Sequence, residues 1–188
     1  LKDFAEANAL VADISDRLLI PLGDSYRQFT RLRASTVALG IDTKTTGEIF
    51  EGVSVAVLKT GGSMQDVDGA MRAVSQVFSK GKVTAEELRG QIGERLPGAF
   101  TIFAQSIGKT PQQLDEALQK GEVSLADFLK FTQELTKRYA TTAAILADAP
   151  ENAGARLQVA LTAASVAYGG FFQKVGAGFQ DYLTKLIN

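Results

Sequence analysis

Residues 80–88 read KGKVTAEEL, and forty positions later residues 120–128 read KGEVSLADF. Each stretch is a complete device for ending one helix and starting another. Lys80 and Lys120 suit the negative end of a finishing helix, and Gly81 and Gly121 suit the left-handed residue just past it. Thr84 and Ser124 stand where the next helix is capped. Glu87 and Asp127, three residues on, stand where a carboxylate bonds back to the capping residue's N–H. Val83 with Leu88, and Val123 with Phe128, occupy the two positions of a hydrophobic staple. The pair specifies two sharp corners between helices.

Outward from these corners the apolar spacing is helical nearly throughout. Phe4, Ala7, Val11, Ile14 and Leu18 form one stripe; Pro21 and Gly23 interrupt it, and Asp24 is placed to cap a second helix ending near Gly40. Asp42 or Thr43 opens a third helix that runs to Gly61-Gly62 and carries Ile49, Phe50, Val53 and Val57. The VSVAV run at 53–57 is the one rival strand signal. Ser63 with Asp66 makes a capping pair for a fourth helix whose inner face is Val67, Ala70, Met71, Val74 and Phe78.

Beyond the first corner a short helix spans about 85–95, and Leu96-Pro97-Gly98 ends it. Thr110-Pro111-Gln112-Gln113 is a start signal, with a threonine cap and proline at the first helical position. After the second corner comes the longest helix, about 125–147, with Leu125, Phe128, Leu129, Thr132, Leu135, Tyr139 and Leu146 inward and Lys130, Glu134 and Lys137 opposite. The class is all-α, a compact irregular multi-helix domain of about eight short capped helices. Residues 1–150 form that domain, and 151–188 an Ala/Gly-rich helical extension without charge from 157 to 173. Two copies of a corner are too few to argue a solenoid.

Composition removes whole classes of chemistry. The 188 residues contain no cysteine and no histidine, so this segment has no disulfide, no thiolate or imidazole metal site and no Ser-His-Asp machinery. Twenty basic and 21 acidic residues leave a net charge of −1, which supplies no global field toward nucleic acid. The chain begins at Leu1 and reads as a piece of a longer protein.

Three clusters are candidates for chemistry. Glu86, Glu87, Arg89, Gln91, Glu94 and Arg95 crowd one short stretch, and Glu87 and Glu94, seven apart, are spaced to share a helix face as a hydrolytic carboxylate pair would. A solvated face with intrahelical ion pairs and a capping glutamate is the stronger reading. Gly90-Gln91-Ile92-Gly93 resembles a glycine clamp of RNA binders, but inside a helical pattern the glycines read better as a place where another helix approaches. Arg27, Arg31 and Arg33 with Tyr26 and Phe29 make a small basic patch, best read as a solvated face over an aromatic stripe. No catalytic, cofactor-binding or metal-ligating residue is assigned, and no cofactor.

The stretch GAMRAVSQVFSKGKVTAEELRGQIGERLPGAF at 69–100, followed by AQSIGKTPQQLDEALQKGEVSLADFLKF at 104–131, resembles the tape measure domain of bacteriophage tail tape measure proteins. SKGKVTAEELRGQIGERLPGA at 79–99 is its specific part; IFEGVSVAV at 49–57 fits less distinctively, and the tail after Pro150 least. The resemblance implies a structural, non-enzymatic role in tail assembly, tail length determination and DNA ejection, with the protein located in the virion tail after assembly in the host cytoplasm. It implies as partners further copies in a homo-oligomer (a trimer among the options), tail assembly chaperones, and tail tube and tail-tip proteins. Specific nucleic-acid binding is not expected. The alternative reading makes residues 151–188 a membrane-active segment of a DNA-ejection conduit, in contact with the host membrane.

The resemblance carries a physical tension. A ruler calls for long continuous helices, whereas this chain has caps, glycines and prolines at short intervals and no sustained heptads. A compact globule of this length has a radius of gyration of roughly 16 Å. The segment therefore reads as a folded knob. In-helix glycines at 47, 52, 69, 90 and 93 are expected to keep that knob easy to open, at about 1 kcal/mol each relative to alanine.

Overall fold

The structure is a computed structural model and describes residues 2–148, with the side chains of residue 3 and residues 5–139. Pro150, the extension 151–188 and the inward position expected for Leu146 lie outside what is described. The described residues form seven α-helices and one π-helix, with no strand among them: α1 (Lys2–Leu18), α2 (Leu22–Val37), α3 (Thr43–Lys59), α4 (Met64–Lys80), the π-helix (Glu86–Ile92), α5 (Ala99–Ser106), α6 (Pro111–Gln119) and α7 (Leu125–Asp148). The VSVAV run lies within α3. There helical periodicity outweighs local β-propensity, because nearly the whole circumference of α3 is covered by other helices.

α3 is the central helix. It packs most extensively on α7, and also on α1, α2 and α4. Two glycines make this possible. A Cβ at Gly52 would stand 2.2 Å from Thr136 Oγ1 and 2.9 Å from its backbone nitrogen, so α7 crosses α3 almost in backbone contact. Thr136 Oγ1 donates to Glu48 O of α3 at 3.0 Å, and a Cβ at Gly47 would meet Leu10 of α1. These glycines are close-packing sites rather than weak points. Arg17 of α1 ties α3 from outside, bonding Glu51 and also Asp13 at 2.8 Å; those bonds, that to Glu51 above all, raise its already high pKa against the desolvation that opposes it.

Local start and stop signals decide the boundaries. Asp42 caps α3, accepting from Thr45 N at 2.7 Å. Ser63 and Asp66 close a capping box on α4, and Thr110 and Gln113 close one on α6 behind Pro111. Asp24 is not a cap. Pro21 holds that position for α2, its carbonyl accepting from Asp24 N at 2.9 Å, while the Asp24 carboxylate pairs with Arg27.

Between α1 and α2, Leu19 turns the chain with φ 55°, and Ser15 Oγ donates to Ile20 O at 2.6 Å across the turn. The helix break expected at Pro21 and Gly23 thus falls slightly earlier, and Gly23 sits inside α2. At the other end α2 stops at Val37, and Gly40 follows in a turn with φ 73°.

The corners bring four rings together. Phe78 leaves α4 just before the first corner and Phe128 enters α7 just after the second; their ring centroids are 5.5 Å apart and nearly perpendicular. Phe103 of α5 and Phe131 of α7 complete the cluster, stacked at 5.0 Å, and all four side chains are buried. Edge-to-face and offset arrangements of this kind add stabilisation beyond area burial. All four staple residues, Val83, Leu88, Val123 and Phe128, are buried in the core.

Candidate functional site

The two corners share their stop signals and differ in their start signals. Gly81 and Gly121 take φ 71° and 70°, and Gly81 N–H returns to Val77 and Phe78 carbonyls as a left-handed helix end requires. At the second corner Ser124 and Asp127 bond reciprocally: Asp127 N donates to Ser124 Oγ at 3.2 Å, and Ser124 Oγ donates to Asp127 Oδ2 at 2.7 Å. The Ser124 backbone N–H also reaches Asp127 Oδ2, at 3.3 Å. The bond from the Ser124 side chain, then that from Lys130, hold the Asp127 carboxyl below its usual range.

At the first corner the reciprocal bond is missing. Glu87 N reaches Thr84 Oγ1 only at 3.5 Å, and the Glu87 carboxylate turns back across the corner to Lys80 at the end of α4. Glu87 is 2% exposed, the one buried charged side chain among the described residues. Lys80 is half exposed, and its bond to Glu87, then their Coulomb attraction, raises its pKa above the ordinary lysine value. Glu87 Oε2 has no hydrogen-bond partner among the described residues. The segment that follows is not an α-helix but the π-helix, closed by Gly93 N donating to Leu88 O at 2.9 Å, five residues back.

This arrangement breaks up the acidic cluster. Glu87 is buried toward α4, whereas Glu94 is largely exposed and lies 3.9 Å from Arg95, so no carboxylate pair faces a common cleft. The ion pairs are not the intrahelical ones expected either. Arg89 reaches Asp115 of α6 at 2.9 Å and lies over the Phe100 ring at 3.8 Å, and Arg95 donates to Gln91 O at 2.7 Å while its side chain covers Gly69 of α4. The clamp-like glycines are corrected too. No helix approaches Gly90, where a Cβ would meet nothing, and at Gly93 a Cβ would stand 2.4 Å from Arg89 O of its own preceding turn.

The basic patch on α2 is likewise divided. Arg27 pairs with Asp24, Arg31 with Asp68 of α4 at 3.3 Å, and Arg33 donates to Ile41 O at 2.9 Å beyond the end of the helix. Burial pushes the Asp68 carboxyl up, but bonds from Arg72 and Arg31 outweigh it and leave the pKa lowered. Phe29 is in the core, edge-on to Phe50. What spacing did not disclose is the groove of about 410 Å³ between α1 and α2, walled by Ala7, Val11, Phe29 and Ala34. Val37 at its edge (54% exposed) and nearby Leu39 (42%) are the large exposed apolar residues among those described. Their place beyond the buried stripe of α2, just before Gly40, was the only signal.

Among the described residues no three His, Cys, Asp or Glu side chains gather as a metal site, and no helix is long and apolar enough to cross a membrane. The geometry offers surfaces, corners and a closed core. Comparison with known proteins fits that picture. The sequence model described as tape measure protein matches residues 1–183, through Pro150 and well beyond the 69–131 stretch that carries the resemblance. A probable tape measure protein of Salmonella phage Felix O1 (isolate Felix O1-VT1) is 35% identical over 133 residues, 70% of this chain and 18% of that protein. The chain therefore spans only a small part of the curated relative it matches. No solved structure matches significantly. With a family match that covers almost its whole length and an all-α fold, the chain belongs to the tape measure protein family.

Proposed function

We propose that this chain is a folded, non-catalytic helical module of a phage or prophage tail tape measure protein, contributing to tail assembly, tail length determination and DNA ejection from within the virion tail. The observation that carries the reading is the family match over residues 1–183. The geometry supports a structural role: polar side chains are spent on caps and cross-helix ties, and the buried core runs without a break from α1 to α7. Its working surfaces are packing faces toward further copies, tail assembly chaperones, tube and tail-tip proteins. The groove beside Val37 is a largely apolar face of this kind.

The module acts as a knob rather than as a length of ruler. Residues 2–148 drawn out as one helix would span about 220 Å. Deleting them in frame from the encoding phage, and measuring tails by electron microscopy, tests both parts of the reading. Loss or malformation of tails, with any complete tails shortened by far less than 220 Å, is expected. Normal tails of unchanged number and length contradict the tail role, and shortening by about the full 220 Å contradicts the knob.

A further inference from the structure

One carboxylate at the first corner serves a partner other than the one its place in the motif assigns to it. The sequence places Glu87 three residues after Thr84, where a capping box puts its carboxylate on the Thr84 N–H, as Asp127 is placed on Ser124. The structure puts the same carboxylate on Lys80 instead. Three features accompany that choice. The side chain is buried with Oε2 unpartnered, the Thr84 cap is stretched to 3.5 Å, and residues 86–92 wind as a π-helix where the matching segment after the second corner is α-helical. A π-turn is rare and costs hydrogen-bond geometry, so it persists where something else holds it.

We infer that the Lys80–Glu87 ion pair is a latch on a two-state corner. Closed, it holds α4 against the π-helix; released, Glu87 caps Thr84 and residues 86–92 rewind as an α-helix. The rewinding changes bond partners one for one. Gly93 N–H leaves Leu88 O for Arg89 O, and Ile92 N–H takes the Leu88 carbonyl in the α pattern. The segment is open around Gly90, where no neighbouring atom lies within 4 Å of where a Cβ would be. Arg95 and Arg89, which tie this segment to α4, α5 and α6, would have to shift with it, which makes the corner a point where the packing of three helices can be altered together.

The test is a double-mutant cycle on the 188-residue chain, read by denaturant unfolding and by amide hydrogen exchange. In the closed state the Thr84 hydroxyl contributes little, so Thr84→Ala alone changes the unfolding equilibrium less than twofold. In Lys80→Met the released Glu87 takes the cap. Thr84→Ala should then cost about fivefold, and the amide of Thr84 should gain protection. An equal effect of Thr84→Ala in both backgrounds, or an unchanged exchange pattern over 84–93, overturns the latch. If Lys80→Met does not fold, Lys80→Ala, which also removes the donor and suits the last turn of a helix, is read in the same way. Failure of both to fold means that the segment has no second arrangement, and also overturns it.

Discussion

The two corners of this domain are written in nearly the same residues and are built differently. Both end a helix on a lysine and a left-handed glycine, and both bury a staple. At Ser124–Asp127 the acidic residue is short and serves the cap, so α7 starts as an ordinary α-helix. At Thr84–Glu87 it is one methylene longer, reaches Lys80, and leaves the cap slack and the next helix in π form. A local motif specifies that the chain turns. Which hydrogen bonds finish the turn depends on what tertiary packing brings within a side chain's reach.

The largest effects should come from the staples, and they sharpen the comparison. Phe128→Ala removes a ring in contact with three others and should cost about 4 kcal/mol, and Leu88→Ala at the matching position, without an aromatic cluster, about 3 kcal/mol. Urea unfolding measures both; a larger loss for Leu88→Ala would mean that the π-helix, not the ring cluster, anchors the core. Next comes the cap asymmetry. Ser124→Ala should lower stability by about 1 kcal/mol and Thr84→Ala by less than half of that. Equal costs would show that the first cap is as complete as the second.

The charged groups separate the corners by pH. The Asp127 carboxyl is held low in the folded state, as are the cap carboxyls Asp42, by bonds from Thr45, and Asp66, by bonds from Ser63. Their stabilisation is therefore full above the ordinary carboxylate range near pH 4 and lost as pH falls through the depressed folded values. Lys80 runs the other way: its raised pKa gives stability that is full below the ordinary lysine value near 10.4 and is lost as pH rises through the folded one. Thermal melts followed by circular dichroism should show Asp127→Asn flattening the acid limb and Lys80→Met the alkaline limb. Interchanged limbs would refute the assignment. The two glycines after the first corner should differ from each other, with the smallest effect of all at Gly90. Gly90→Ala should be neutral or stabilising by up to about 1 kcal/mol, and Gly93→Ala destabilising by about 2 kcal/mol through its contact with Arg89 O.

Most of the architecture was legible because caps and stripes are local. Asp42, Ser63 with Asp66, and Thr110 with Gln113 act within four residues of themselves, and the Val67–Phe78 face repeats with the helix. Glu87 was legible as a cap and became a latch, because Lys80 lies seven residues away across a turn whose geometry no spacing rule states. The glycines of α3 were read as weakness and proved to be contact points, since nothing in the sequence says that Thr136 lands on Gly52. Asp24 failed as a cap for a different reason: Pro21 had already begun the helix three residues earlier. The groove at α1 and α2 was invisible because a groove belongs to two helices, and the periodicity of one does not contain the other.

The central claim is that this tape measure segment keeps its corners inside the particle. Cryo-electron microscopy of assembled tails tests it most directly, with density traced through residues 64–148. The account predicts a bent body in which the chain reverses at Gly81 and Gly121 and Phe78 meets Phe128. One straight helix running through both glycines along the tail axis would contradict it.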